Sequence, residues 1–218
     1  MRILVISDTH GKIERVVDVY KKLVSEAPLD FIVHCGDHFS DAQEIRARLG
    51  VPVAAVRGNC DGCFTPDAFS VLETEYGNFL ITHGHMENVG YSMQNLYYKV
   101  LENGCIGGFF GHTHRSAFVQ LDDVYLMNPG SISKPRDGSG GSFGLVVTSE
   151  DSLWGKIYSY EDFMLPTDGQ AAYINSASFG GSVQSSQNAQ KPQASPSTPK
   201  KKVKGGHLRD LLNYSDRF

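Results

Sequence analysis

Five short apolar runs in the first 115 residues each stop abruptly at residues of the kind that bind metals or move protons. Ile3 to Ile6 leads into Asp8, Thr9 and His10, and Phe31 to Val33 leads past His34 into Cys35, Gly36, Asp37 and His38. Val53 to Val56 leads into Gly58, Asn59, Cys60 and Asp61. Phe79 to Thr82 leads into His83, Gly84 and His85, and Ile106 to Phe110 into Gly111, His112, Thr113 and His114. Apolar runs this short, bounded by turn residues, read as buried strands. In an open α/β sheet the functional crevice lies beyond the carboxyl ends of the strands, so the side chains that follow each run are delivered to one rim. In the Asp-x-His and His-x-His triplets the two polar residues are two apart. They face the same side if the backbone there is still extended.

The segments between these runs carry helical spacing. Ile13, Val16, Val17, Tyr20, Leu23 and Val24 form one stripe, which predicts a helix with one buried face. Ser40 with Gln43 predicts a capping box opening a second helix, which turns Ile45 and Leu49 inward and ends at Gly50. Met93, Leu96, Tyr97, Val100 and Leu101 make a third stripe, stopped by Asn103 and Gly104. Tyr76, Gly77 and Asn78, between Phe69 to Leu72 and Phe79 to Thr82, predict a hairpin. Further strands are expected at 117 to 121, 124 to 127, 143 to 147 and 153 to 160. Parallel crossovers followed by hairpins predict an α/β fold of two packed mixed β-sheets flanked by helices.

Composition sets the outer bounds. Of 218 residues 40% are hydrophobic, enough for a sizeable core, so a wholly disordered chain is excluded. Nothing approaches the roughly 18 consecutive apolar residues of a membrane span, and the first apolar run ends at Ser7 and Asp8; neither a signal peptide nor a membrane helix is expected. Four cysteines are too sparse for a disulfide scaffold, which points to a reducing, cytoplasmic compartment. Composition shifts at Pro166. Residues 1 to 165 read as one domain, with 21 acidic and 13 basic groups, and 166 to 218 as a low-complexity, disordered tail with 7 basic and 3 acidic groups. A body with net charge −8 carries no nucleic-acid-binding signal and repels phosphate unless something positive, such as a metal, is bound within it. In the tail, Pro199 to Lys204 (PKKKVK) has the look of a basic import signal but reads by default as a solvated charge run. Leu208, Leu211 and Leu212 share one helical face that would dock on a protein partner or on the body.

Seven of the eight histidines precede residue 115. Two carboxylates, one amide oxygen and four imidazoles around one point suit two divalent cations bridged by a shared carboxylate. The series DTH, GDH, GNCD, HGH and GHTH resembles the calcineurin-like metallophosphoesterase superfamily. Its small one-domain phosphodiesterase branch, related to the scaffold subunit of retromer, is the nearest in pattern. The resemblance covers roughly residues 1 to 160 and extends to Asn128–Ser131 (NPGS) and to Pro135 and Arg136. It implies the superfamily's four-layer α/β/β/α sandwich. It further implies that Asp8, His10 and His114 bind one metal, that Asn59, His83 and His112 bind a second, and that Asp37 bridges them. The activity implied is phosphodiester hydrolysis by a hydroxide activated between two divalent ions, manganese first, with zinc, iron or nickel also admitted by these donors.

Asp37, Asn59 and His85 are the residues the resemblance places in catalysis. His85 either orients a leaving group or phosphate oxygen, or hydrogen-bonds to His83 or another ligand. Many relatives place a His directly after the Asn. Here Cys60 stands in that position, and a neutral thiol suits a phosphodiester better than a dianionic monoester, so Cys60 is read as a specificity residue. His38 is expected beside the site without coordinating, and His34 is expected to be buried and satisfied. Ser131 and Arg136 either contact substrate or serve their turn. Cys60 and Cys63 form a lone C-x-x-C without the second pair that a structural zinc requires. The expected ligand is a small phosphodiester, with a homo-oligomer also consistent. The rival readings are a phosphomonoesterase or nucleotide pyrophosphatase on the same residues, and a non-catalytic scaffold of the retromer-subunit type.

Overall fold

The computed structural model describes residues 1–62 and 66–166, together with the backbone of a strand at 179–182. The first apolar run is β1 (Arg2–Ile6), followed by α1 (Ile13–Glu26), β2 (Phe31–His34), α2 (Phe39–Leu49) and β3 (Val53–Ala55). β1 pairs parallel with β2, and β2 with β3, closing the expected βαβαβ unit. The hairpin follows as β4 (Phe69–Glu73) and β5 (Asn78–Thr82), then α3 (Gln94–Glu102), β6 (Gly107–Phe109), β7 (Ser116–Leu121) and β8 (Val124–Pro129). The chain then returns through β9 (Ser142–Thr148) and β10 (Ser152–Ser159) to α4 (Tyr160–Met164) and β11 (Phe179–Ser182).

These strands form two mixed sheets. One has six strands in the order β11-β10-β9-β1-β2-β3, the other five in the order β4-β5-β6-β8-β7. Side-chain alternation along β1 explains the packing. Ile3 and Val5 meet Phe79, Ile81 and Phe109 of the second sheet, while Leu4 and Ile6 meet Val16, Val19 and Leu23 of α1. Both faces of β1 are covered, so all of Ile3 to Ile6 must be apolar, as in a buried parallel strand. β5 repeats the logic: Phe79 and Ile81 face the first sheet, while Leu80 packs with Leu96 and Val100 of α3. The result is a four-layer helix–sheet–sheet–helix sandwich in which the carboxyl ends of β1, β2, β3, β5 and β6 carry the polar clusters.

Several local expectations are corrected. α2 starts at Phe39, and the residue before it, His38, lies in the left-handed region and makes no side-chain cap, so Ser40 sits inside the helix and there is no capping box. The cap comes from a distant loop instead, because the Asp61 carboxylate accepts the Phe39 N–H at 2.8 Å. Leu101 faces solvent. The last long strand ends at Ser159, whose hydroxyl accepts the Asp162 N–H and caps α4, an element the sequence pattern did not suggest. β11 lies inside the stretch read as a tail and pairs antiparallel with β10. The chain divides into a compact unit, Met1–Val183, and a remainder, Gln184–Phe218, outside the described residues. The PKKKVK run and the leucine face at 208 to 212 therefore also lie outside them, as does Cys63. Among the described residues no helix is long and apolar enough to cross a membrane.

Candidate metal centre

Each of the seven donor side chains follows the carboxyl end of a strand: Asp8 and His10 after β1, Asp37 after β2, Asn59 after β3, His83 after β5, and His112 and His114 after β6. They come together in two adjoining groups. Asp8, His10, Asp37 and His114 each place a donor atom within 4.8 Å of the others. Asp8 Oδ1 lies 3.3 Å from His114 Nε2, which is 3.4 Å from His10 Nε2. In the second group His83 Nε2 lies 3.1 Å from Asn59 Oδ1 and 3.3 Å from Asp37 Oδ1, and His112 Nδ1 is 2.9 Å from the same Asn59 oxygen. Asp37 belongs to both groups.

The tautomers decide what these short distances mean. His83 Nδ1 donates to the Cys35 carbonyl at 2.8 Å, and His114 Nδ1 donates to the Lys134 carbonyl at 2.7 Å. In a neutral imidazole the other nitrogen is then a lone pair, so His83 Nε2 faces the Asn59 and Asp37 oxygens and His114 Nε2 the Asp8 oxygen, acceptors too. Asp8 Oδ1 is fully buried and receives no hydrogen bond. Acceptors aimed at acceptors in a buried site ask for a cation between them. The electrostatics agree. Burial pushes the Asp8 carboxyl up, but His114 and His83 outweigh it and hold it below the usual range, while Asp8 raises His114. The pair is built to take a positive charge, and the donor set fits divalent ions of borderline hardness.

The backbone reaches this arrangement differently from the extended triplets expected. Asp8 (φ 54°), His10 (44°), Asp37 (60°), His112 (68°) and His114 (56°) all occupy the left-handed region, as does His38 (65°). Among the described residues only eight non-glycine residues do so, and five of them are these donors. Such a conformation costs of order 1–3 kcal/mol per residue and persists only where the surroundings hold it. Here the loop after β8 is the clamp. Ser131 is fully buried and donates to the Asp8 carbonyl at 2.7 Å, Ser133 donates to the same oxygen at 3.0 Å, and the Arg136 N–H donates to the His114 carbonyl at 2.8 Å. Ser131 therefore serves its turn and the metal loop, whereas the Arg136 side chain is exposed.

The remaining candidates fall around this centre. His38 packs edge-on against His10, ring centroids 4.8 Å apart. His85 sits 5.4 Å from the His83 ring and 6.2 Å from the His112 ring, and its buried Nδ1 has no hydrogen-bond partner. Cys60 is exposed, and its N–H donates to Asp37 Oδ1 at 3.0 Å. Partial burial and then the Asp37 carboxylate push the Cys60 thiol up to about 11, so it stays protonated at neutral pH.

Asp61 has a role that sequence reasoning missed. One of its oxygens accepts the Phe39 N–H and the other the Gly58 N–H, each at 2.8 Å, so it ties the Asp37 loop to the Asn59 loop. Its place in the GNCD motif was the available signal. Asp61→Ala should lose a helix cap worth about 1 kcal/mol and lower the melting temperature by about 2–4 °C, which thermal unfolding by circular dichroism measures.

A sandwich of this kind, here with seven ligand-type side chains gathered at one rim, is the metallophosphoesterase fold. Residues 1–151 match the model of the calcineurin-like phosphoesterase superfamily domain, and the chain belongs to that superfamily. It is 34% identical over 160 residues to the probable metallophosphoesterase YsnB of Bacillus subtilis, covering 72% of this chain and 90% of that protein. It is 29% identical over 150 residues to phosphodiesterase MJ0936 of Methanocaldococcus jannaschii, covering 60% and 83%. Among solved structures, Vps29 of Entamoeba histolytica complexed with zinc superposes with a TM-score of 0.62 at 18% identity, covering 84% of this chain and 99% of that one. This last likeness is one of fold.

Proposed function

We propose that this protein is a metal-dependent phosphodiesterase. One divalent ion would be held by Asp8, His10 and His114, a second by Asn59, His83 and His112, with Asp37 shared between them. The observation that carries this reading is the buried facing of acceptor upon acceptor, with His83 and His114 each locked by a carbonyl so that Nε2 points inward. When bound, two such cations generate a nucleophile from water near neutral pH and neutralise charge on the phosphoryl oxygens. The chain's own contribution is geometric and electrostatic. Left-handed turns aim the donors, and Asp37 is held by the Cys60 N–H. His85, at the edge of the second group, orients the leaving group or a phosphate oxygen through a ring nitrogen.

Cys60 supports the diester preference. Where an imidazolium would offer charge to a monoester dianion and a ready proton to a departing alkoxide, a thiol with a pKa of about 11 carries no charge and is the weaker acid. The Methanocaldococcus relative, named a phosphodiesterase, points the same way. Manganese is the first choice of ion, with zinc, iron and nickel admitted by the same donors. A cytoplasmic setting suits the free thiols of Cys35, Cys60 and Cys105.

The test compares hydrolysis of bis(p-nitrophenyl) phosphate and p-nitrophenyl phosphate with and without manganese. Metal-dependent turnover of the diester, with kcat/KM above that of the monoester by about tenfold or more, is expected. A preference for the monoester would favour the phosphomonoesterase reading. Absence of metal-dependent turnover on either compound would favour the non-catalytic scaffold reading.

A further inference from the structure

We propose that a buried hydrogen-bond relay, His34 to Thr9 to Asp41, is the positioning device that holds the first metal group in its ligating conformation. This rests on the metal reading above and adds three residues to which neither the superfamily match nor the donor set gives a role. All three are buried, His34 and Thr9 completely. His34 ends β2, Asp41 lies in the first turn of α2, and Thr9 stands between the two left-handed donors Asp8 and His10.

The direction of the relay follows from counting protons. The Thr9 hydroxyl has one hydrogen, and Asp41 Oδ2, a carboxylate oxygen 2.6 Å away, takes it. His34 Nε2, 3.0 Å from the same hydroxyl oxygen, must then be the donor. His34 Nδ1 is left as an acceptor, and the Gly36 N–H meets it at 3.3 Å. Every group is matched in one tautomer, that of neutral His34. Asp41 Oδ2 also accepts the Gly11 N–H at 2.7 Å, so one carboxylate oxygen grips the segment on both sides of His10.

The consequences run to both donor groups, but unequally. Thr9 is anchored at its side chain, so the flanking Asp8 and His10 cannot relax out of the left-handed region by rotating the segment as a unit. The relay also fixes Gly36, whose carbonyl accepts the Asp8 N–H at 3.2 Å. The second group meets this system at one remove: through the Cys35 carbonyl that receives His83 Nδ1, through the His112 N–H that donates to Asp8 Oδ2 at 3.2 Å, and through Asp37, which follows Gly36. Loss of the relay should therefore loosen the ion held by Asp8, His10 and His114 and largely spare the other.

The measurement is manganese binding to the full chain by isothermal titration calorimetry, alongside the melting temperature of the metal-free protein. Thr9→Val keeps the shape and deletes the hydroxyl, Thr9→Ser restores it, and Asp41→Ala removes the terminal acceptor while keeping a good helix former, so it serves should Thr9→Val fold poorly. Thr9→Val and Asp41→Ala should each weaken one of two manganese equivalents by about 10- to 100-fold, the usual effect of removing a residue that orients a ligand, with Thr9→Ser close to wild type. Unchanged affinity for both ions would overturn the inference. So would equal weakening of both in step with a fall in the metal-free melting temperature, which is the behaviour of a merely structural residue. A wild-type chain that binds no manganese would fail a different claim, the metal reading itself.

Discussion

Asp37→Asn should abolish metal-dependent turnover, lowering kcat/KM by about 10³-fold or more. The substitution is close to isosteric, and its side-chain oxygen can still accept the Cys60 N–H that Asp37 Oδ1 takes at 3.0 Å. What it removes is the negative charge between the groups, where Asp37 Oδ1 lies 3.3 Å from His83 Nε2 and where an Asp37 carboxylate oxygen falls within 4.8 Å of the donors of Asp8, His10 and His114. Charge stabilisation by bound metal is worth several kcal/mol, and each 1.4 kcal/mol is about a factor of ten in rate, which sets the scale. Steady-state kinetics on the aryl diester, paired with elemental analysis of the purified variant, checks it. Wild-type activity in a variant holding fewer ions would show that the shared carboxylate is not central.

Gly58→Ala should be nearly as damaging, through sterics rather than charge. A Cβ on Gly58 would lie 2.0 Å from Asp37 Oδ1, 2.4 Å from the Asp37 amide nitrogen and 2.8 Å from its Cα. A side-chain tip can swing aside, but two of these atoms are backbone, so the whole Asp37 loop must shift. Overpacking of this kind costs about 1–3 kcal/mol, and a displacement of about 1 Å at a catalytic centre costs about 10²-fold in rate. Melting temperature and kcat should fall together. Gly90→Ala is the control, since a Cβ there meets nothing within 4 Å. A Gly58→Ala protein with unaltered kcat would mean that the close approach of these loops is incidental.

Much of the architecture was written locally. Ile3 to Ile6 can be uniformly apolar only if both faces of the strand are covered, and that alone implies a layered sandwich with polar residues confined to strand ends. The gathering of these polar side chains was legible for the same reason: a His or Asp directly after a buried strand has nowhere to go but the rim. The geometry of the rim was not legible. The triplets look like short extensions of strands, but Asp8, His10, His112 and His114 turn left-handed, with Asp8 held by hydrogen bonds from Ser131 and Ser133, over a hundred residues away in sequence, His114 by the Arg136 backbone, the Gly11 N–H after His10 by Asp41, and the His112 N–H by Asp8. The start of α2 was misread for a similar reason. Its cap is Asp61, in another loop, and no window of sequence around Ser40 contains it. β11 escaped notice because Phe-Gly-Gly-Ser has little strand character of its own, and its pairing follows from the edge that β10 presents.

The left-handed donors also tilt the balance between durability and chemistry in this chain. At each of those positions glycine would sit more comfortably, yet it would delete a donor; selection for a sturdier scaffold alone runs downhill towards losing the cluster. Five such uncomfortable residues, with Ser131 and Ser133 both bonded to the Asp8 carbonyl, are a local cost in stability that glycine at any of the five would relieve.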